Sequence, residues 1–143
     1  ALYSEIARQN IVEIREFIAK KGYDNSPKDI RECRTEIMNM SNDSNSRIQT
    51  IINSKDFYSL SACRDLLFHV QEHRFTLPQI SNALKKMGLI FIGFDCGSQI
   101  ENQFKAQYPG KEDLFSLELW HQFEQDHPDT FVRMYQFWVQ KNN

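Results

Sequence analysis

Glycine, cysteine and long apolar runs are scarce in this sequence, and each shortage removes a class of function. The five glycines, Gly22, Gly88, Gly93, Gly97 and Gly110, form neither a G-x-G-x-x-G fingerprint nor a P-loop, so the chain carries no nucleotide cradle. The three cysteines, Cys33, Cys63 and Cys96, are odd in number, widely spaced and without a CxxC pair. Neither a disulfide framework nor a cysteine zinc site follows from that spacing, and buried free thiols are expected. No apolar run approaches the about 20 residues a spanning helix needs, and the first residues have no basic and apolar signal regions. A cytoplasmic protein away from membranes is the expectation.

A large charge of either sign is also missing. The formal net charge is −2, with 11 basic and 11 acidic side chains in residues 1–75 and 6 and 8 in residues 76–143. Without a basic face, nucleic acid is not an expected partner. The 143 residues suit one domain with a core of its own. The start at Ala1-Leu2-Tyr3-Ser4, without an initiator Met, reads as internal to a longer protein.

Helical periodicity dominates what is there. Ala7, Ile11, Ile14 and Ile18 recur at helical spacing between a Ser4 cap and a stop at Gly22. Ser26-Pro27-Lys28-Asp29 restarts the chain with a cap, a first-turn proline and an acid at the positive helix end, ahead of the stripe Ile30, Cys33, Ile37. Residues 41–46 are polar throughout and mark a mobile loop tip, followed by a short helix with Ile48, Ile51 and Ile52 inward. Ser59 or Ser61 caps a helix that turns Leu66, Leu67 and Val70 to the core and ends before Phe75. Thr76-Leu77-Pro78-Gln79 forms a capping box for a helix lined by Ile80, Ala83, Leu84 and Met87. Residues 89–94, LIFIGF, read as a buried strand. Two helices follow, one lined by Ile100, Phe104 and Tyr108 and one by Leu117, Trp120 and Phe123. Residues 134–141 are a second strand, or a helix starting at Thr130.

The chemically densest run is residues 58–80, which holds Cys63, Arg64, Asp65, His69, Glu72, His73 and Arg74. His69-Val70-Gln71-Glu72-His73 fits H-x-x-E-H, in which two imidazoles at i and i+4 on one helix face bind zinc and the glutamate serves as base. The competing reading places both histidines at a helix end, where imidazole meets the last carbonyls. A nucleophilic pair of Cys63 with His69 is disfavoured, because six residues carry the second roughly 240° around a helix. Arg64 and Asp65 read as a solvated or locally paired couple.

Four phrases carry a family resemblance: LYSEIAR at residues 2–8, CRDLLFHVQEHRFTL at 63–77, FIGF at 91–94, and HPDTF at 127–131 followed by MYQFW at 134–138. Together they resemble the C-terminal region of bacterial class I S-adenosylmethionine-dependent methyltransferases, often associated with tetratricopeptide repeats. The resemblance implies a helix-rich α/β fragment that supplies the last strands of a Rossmann-like sheet ordered 3-2-1-4-5-7-6. Residues 1–5 would end the fifth strand, 6–87 would be a helical insertion over the acceptor, and 89–143 would close the sheet with strands six and seven, the seventh antiparallel between its neighbours. The cofactor half would lie upstream of Ala1, so this chain alone is expected not to bind S-adenosylmethionine. Catalytic candidates are then His69 and His73, and substrate-binding candidates Arg64, Asp65 and Glu72, with no cofactor or metal ligand in the chain. The partners would be the missing N-terminal half and a methyl acceptor of unspecified kind.

Two other functions stay open. One is a helical interaction module that docks through Trp120, Phe131, Tyr135, Phe137 and Trp138 as exposed aromatics. The other is a zinc enzyme built on His69, Glu72 and His73.

Overall fold

The computed structural model of the chain describes residues 1–41, 46–68 and 71–143. The described residues are helix-rich, with strands paired in two small sheets. Contacts divide the chain into two compact units: Gln9–Glu72, and Ala1–Arg8 together with His73–Asn143.

In the first unit, α1 (Gln9–Lys21) buries Ile11, Ile14 and Ile18 on one stripe. It stops where Gly22 takes φ +74° and the N–H groups of Gly22 and Tyr23 both return to the Ile18 carbonyl. α2 (Pro27–Met40) begins as its sequence dictates, with the Ser26 hydroxyl accepting from the Asp29 N–H at 3.2 Å, and buries Ile30, Cys33 and Ile37. α3 (Ser46–Ile52) adds Ile48, Ile51 and Ile52 to that core. The polar tip expected before it falls, at residues 42–45, outside the described residues.

The expected helix after Ser59 is cut short. Ser59 does cap α4 (Leu60–Cys63), but residues Arg64–Phe68 then widen into a π-turn. Arg15, 51 residues earlier, takes the Leu66 carbonyl with Nη2 at 2.7 Å. Cys63 and Leu67 stay buried through the change, with Leu66 and Phe68 half-buried around them. Val70, the third expected core residue, lies outside the described residues.

The second unit carries all the described strands. β1 (Tyr3–Ser4) pairs in parallel with β2 (Arg74–Phe75). α5 (Leu77–Lys86) opens with the expected capping box, in which the Thr76 hydroxyl accepts from the Gln79 N–H and the Gln79 side chain accepts from the Thr76 N–H. Its buried stripe is Leu77, Ile80 and Leu84; Ala83 and Met87 face solvent instead, because Leu77 rather than Ala83 sets the phase of the face that meets the core. β3 (Leu89–Phe94), α6 (Ser98–Gln107), α7 (Leu117–Asp126) and β4 (Phe137–Lys141) complete the unit.

β3 and β4 are antiparallel, from Leu89↔Lys141 to Phe94↔Phe137, with a register shift between Phe91 and Gly93 that sets Gly93 opposite Trp138. The helical alternative for residues 134–141 is thereby excluded. Just before β4, Tyr3 bridges Met134 in antiparallel sense and the Tyr135 N–H donates to the Leu2 carbonyl at 2.8 Å. The next carbonyl, Gln136, accepts from the Asp95 N–H at 2.8 Å. Met134 and Tyr135 thus meet β1 on one edge, and the chain from Gln136 to Lys141 meets β3 on the other.

The helices pack one aromatic layer against this sheet. Phe104 stacks on Trp120 at 3.8 Å between ring centroids, and Phe94 meets Trp120 edge-on at 5.1 Å and Phe131 at 4.6 Å. The expected set of exposed docking aromatics is therefore corrected. Trp120, Phe131 and Tyr135 are buried and Phe137 is half-buried, because they form the core beneath the sheet. Trp138 alone of the five is exposed, at 65%, and it shares the open side of the sheet with Ile90 and Ile92.

Phe104→Ala is expected to lower the unfolding free energy by about 3–5 kcal/mol. Trp138→Ser should change it by no more than about 0.5 kcal/mol, as at other exposed positions. Urea denaturation followed by circular dichroism measures both.

Candidate functional site

Four of the five residues singled out in the sequence are described, and each has surroundings of its own. Arg64 is half-exposed, and its Nε donates to the Asn25 carbonyl at 3.3 Å. Asp65 is exposed on the π-turn. Glu72 accepts from Arg15 Nη1 at 3.0 Å, with its side chain only 8% exposed, so its carboxylate has a structural partner. His69 lies outside the described residues. His73 is exposed, and its backbone is extended rather than helical, because its carbonyl accepts the Tyr3 N–H at the start of the β1–β2 pair. The zinc arrangement needs two imidazoles one turn apart on a single helix, and His73 is on none. Among the described residues no group of three or more His, Cys, Asp and Glu side chains could hold a metal.

The geometry concentrates polar chemistry elsewhere, at the carboxyl ends of β1 and β3, where open α/β sheets place their ligands. Ser4 ends β1 and Glu124 lies on α7; both are fully buried, and the Ser4 hydroxyl donates to Glu124 Oε1. Ser4 Oγ also accepts the Ala7 N–H at 3.0 Å, so the expected capping role holds for the turn over residues 5–8 that precedes α1. Tyr135 donates to the same carboxyl, 2.9 Å from Oε1 and 3.0 Å from Oε2. One buried carboxyl therefore joins β1, α7 and the entry to β4.

Burial pushes the Glu124 carboxyl above its ordinary range, against the opposite pull of the Ser4 and Tyr135 hydrogen bonds. The Tyr135 hydroxyl is raised first by burial and then by the charge of Glu124. Neither group meets solvent as a catalytic base must, so the cluster positions backbone rather than attacking a substrate. The helical spacing held a signal for it: Glu124 follows Leu117 by seven residues and Trp120 by four, an acid on the apolar stripe of α7.

A cleft of about 420 Å³ opens at the same end of β3, lined among others by Asp95, Cys96, Gly97, Asp129 and Arg133. Gly97, at φ +83°, lets the chain turn sharply from β3 into α6, and no side chain caps that helix. A second cleft of about 430 Å³ involves α5 and α7, with Lys85, Glu118 and His121 on its walls; the His121 Nδ1 is buried without a hydrogen-bond partner. None of the five sequence-named residues lines either cleft.

The three cysteines are free thiols, but only Cys33 and Cys63 are buried as expected; Cys96 is half-buried. Burial pushes the Cys33 thiol up to about 12 and the Cys96 thiol up to about 11, and raises Cys63 as well. No reactive thiolate results at neutral pH.

Because the folded state holds Glu124 above its unfolded value, its contribution to stability is present in full below the ordinary 4.5 and is lost as pH rises through the raised value. Chemical denaturation across that interval should show stability declining with pH, and Glu124→Gln should flatten the decline. Tyr135→Phe, which removes a hydrogen bond to a buried carboxyl, is expected to cost about 1.5–3 kcal/mol. In the other unit, Arg15→Ala should cost about 1–3 kcal/mol by the same assay, since it takes a donor from the buried Glu72 and from the Leu66 carbonyl.

Comparison of the chain with protein-family models, with curated proteins and with solved structures gives no match.

Proposed function

We propose that this chain is the acceptor-side part of an S-adenosylmethionine-dependent methyltransferase. The observation that carries the reading is the order of strands around residues 134–141. The resemblance calls for a seventh strand running antiparallel between the fifth and the sixth. Met134 bridges Tyr3 in antiparallel sense on one edge, and β4, just after it, runs antiparallel to β3 on the other. The open face bearing Ile90, Ile92 and Trp138 supports the same reading, because a doubly wound sheet has helices on both sides and this face has no cover among the described residues. The glycines supply no nucleotide cradle, so the residues here would shape the acceptor and leave the cofactor to upstream strands.

The chemistry asked of such a part is alignment, with a base only where the acceptor nucleophile is protonated. In this reading His73, exposed at the head of β2 and tied through its carbonyl to Tyr3, takes the proton of the nucleophile. His69, outside the described residues, is the alternative base. Arg64, Asp65 and Glu72 belong to the other unit, where Glu72 is engaged by Arg15.

Calorimetric titration of this chain with S-adenosylmethionine is expected to show no binding. The polypeptide extended upstream of Ala1 should bind it, and its added sequence should contain a Gly-rich loop after a strand and an acidic residue at the end of the next. Micromolar binding by this chain alone, or an upstream sequence without that loop, overturns the reading.

A further inference from the structure

We propose that Glu124, Tyr135 and the Phe75 carbonyl form a two-position hydrogen-bond switch, in which the proton on Glu124 decides whether Tyr135 holds α7 or β2. The Tyr135 hydroxyl lies 2.9 and 3.0 Å from the two Glu124 oxygens and 3.5 Å from the Phe75 carbonyl. It has one proton to donate and so serves one side at a time. With Glu124 ionised, Ser4 and Tyr135 both donate into the carboxylate and the longer contact to Phe75 is unused. When Glu124 takes a proton from solvent on Oε2, that O–H donates to the Tyr135 oxygen, and the Tyr135 proton is released toward Phe75. Ser4 keeps its bonds in both states, accepting from Ala7 and donating to Oε1.

The element at the far end is short enough to respond. β2 has two residues, and the backbone bonds that join it to β1 include Tyr3 N–H to the His73 carbonyl at 3.1 Å and Glu5 N–H to the Phe75 carbonyl at 3.0 Å. The Phe75 carbonyl has a second lone pair for Tyr135. One added bond is thus a large fraction of what fastens this strand.

The ionisable groups around the cluster are few. Glu5, on the turn after β1, acts on Tyr135 and pairs with Arg74 of β2 at 3.6 Å. The Arg8 guanidinium lies over the Tyr3 ring at 4.3 Å. On α7 itself, His127 Nε2 is 3.2 Å from the Gln107 side chain and His121 lines the cleft with α5. α5 turns Leu77, Ile80 and Leu84 inward, with no charge among them. Burial favours the neutral carboxyl, which brings the changeover above the ordinary carboxylate range. The switch stands on this geometry whatever the chain acts on.

The test uses the intact chain. Carbon-13 labelling of glutamate carboxyls follows the ionisation of Glu124 by nuclear magnetic resonance. Hydrogen exchange of the Glu5 and Tyr3 amides, corrected for intrinsic pH dependence, reads the hold on β2. Protection of these amides is expected to rise about two- to tenfold on acidification, the worth of one net hydrogen bond, with the midpoint of Glu124. Tyr135→Phe should leave Glu124 titrating while protection no longer follows it, and Glu124→Gln should hold protection at one level across the range. Protection that is flat in the wild type, or that still tracks Glu124 in Tyr135→Phe, overturns the switch. Should either variant fail to fold, the coincidence or separation of the two wild-type midpoints decides.

Discussion

The chain around residues 134–141 meets β1 on one edge, at Met134 and Tyr135, and β3 on the other, from Gln136 onward. Backbone groups of successive residues point to opposite sides of a strand, so Tyr135 turns its N–H to Leu2 while Gln136 turns its carbonyl to Asp95. That alternation brings together chain separated by more than 130 positions and settles which way the intervening side chains face. Tyr135 must point under the sheet, toward α7, and Trp138 out of it, opposite Gly93. Phe94, Phe131 and Phe137 then form the roof over Trp120 and Phe104. The carboxyl ends of β1 and β3 come to the same end of the unit, and the candidate chemistry collects there.

A carboxyl buried at that point is expensive unless its oxygens are engaged. Glu124 has two hydroxyl donors and no cationic partner among the described residues, an arrangement that tolerates both protonation states better than an ion pair would. An Arg partner would hold the carboxylate charged and make loss of the proton permanent near neutrality. Hydroxyl partners can reverse their donor direction, so the network remains satisfied when the proton arrives. The same flexibility makes Glu124 suited to join β1, α7 and β4 without requiring solvent access.

The parts of the fold legible from sequence were those set by neighbours in the chain. Ser26 with Pro27 and Asp29, Thr76 with Gln79, and Gly22 after Lys21 each contain their own reason for starting or stopping a helix. The apolar run 89–94 likewise forms a strand, although not the buried one expected, since Ile90 and Ile92 are exposed. What escaped was set at a distance. Arg15 reaches 51 residues along the chain to the Leu66 carbonyl, and no local pattern announces a π-turn there. Glu124 sat in plain view on an apolar stripe, but its partners are Ser4, 120 positions away, and Tyr135, so its meaning depended on a topology that only the paired strands supply. The exposed aromatics were misassigned for a related reason: alternation along 134–141 gives two faces, and sequence alone does not say which one the helices cover.

The dense run at residues 58–80 takes on a different character once the chain is divided at Glu72 and His73. Its residues are distributed between two cores rather than gathered on one helix. Cys63 and Leu67 pack into the first, Leu77 and Ile80 into the second, and between them Glu72 is held by Arg15 while His73 gives its carbonyl to Tyr3. A segment that leaves one unit under an ion pair and enters the next as a strand is constrained at Glu72 and His73 by the fold itself. His73 is a different matter: it is exposed, beside the start of β1, and fixed by its backbone rather than its ring.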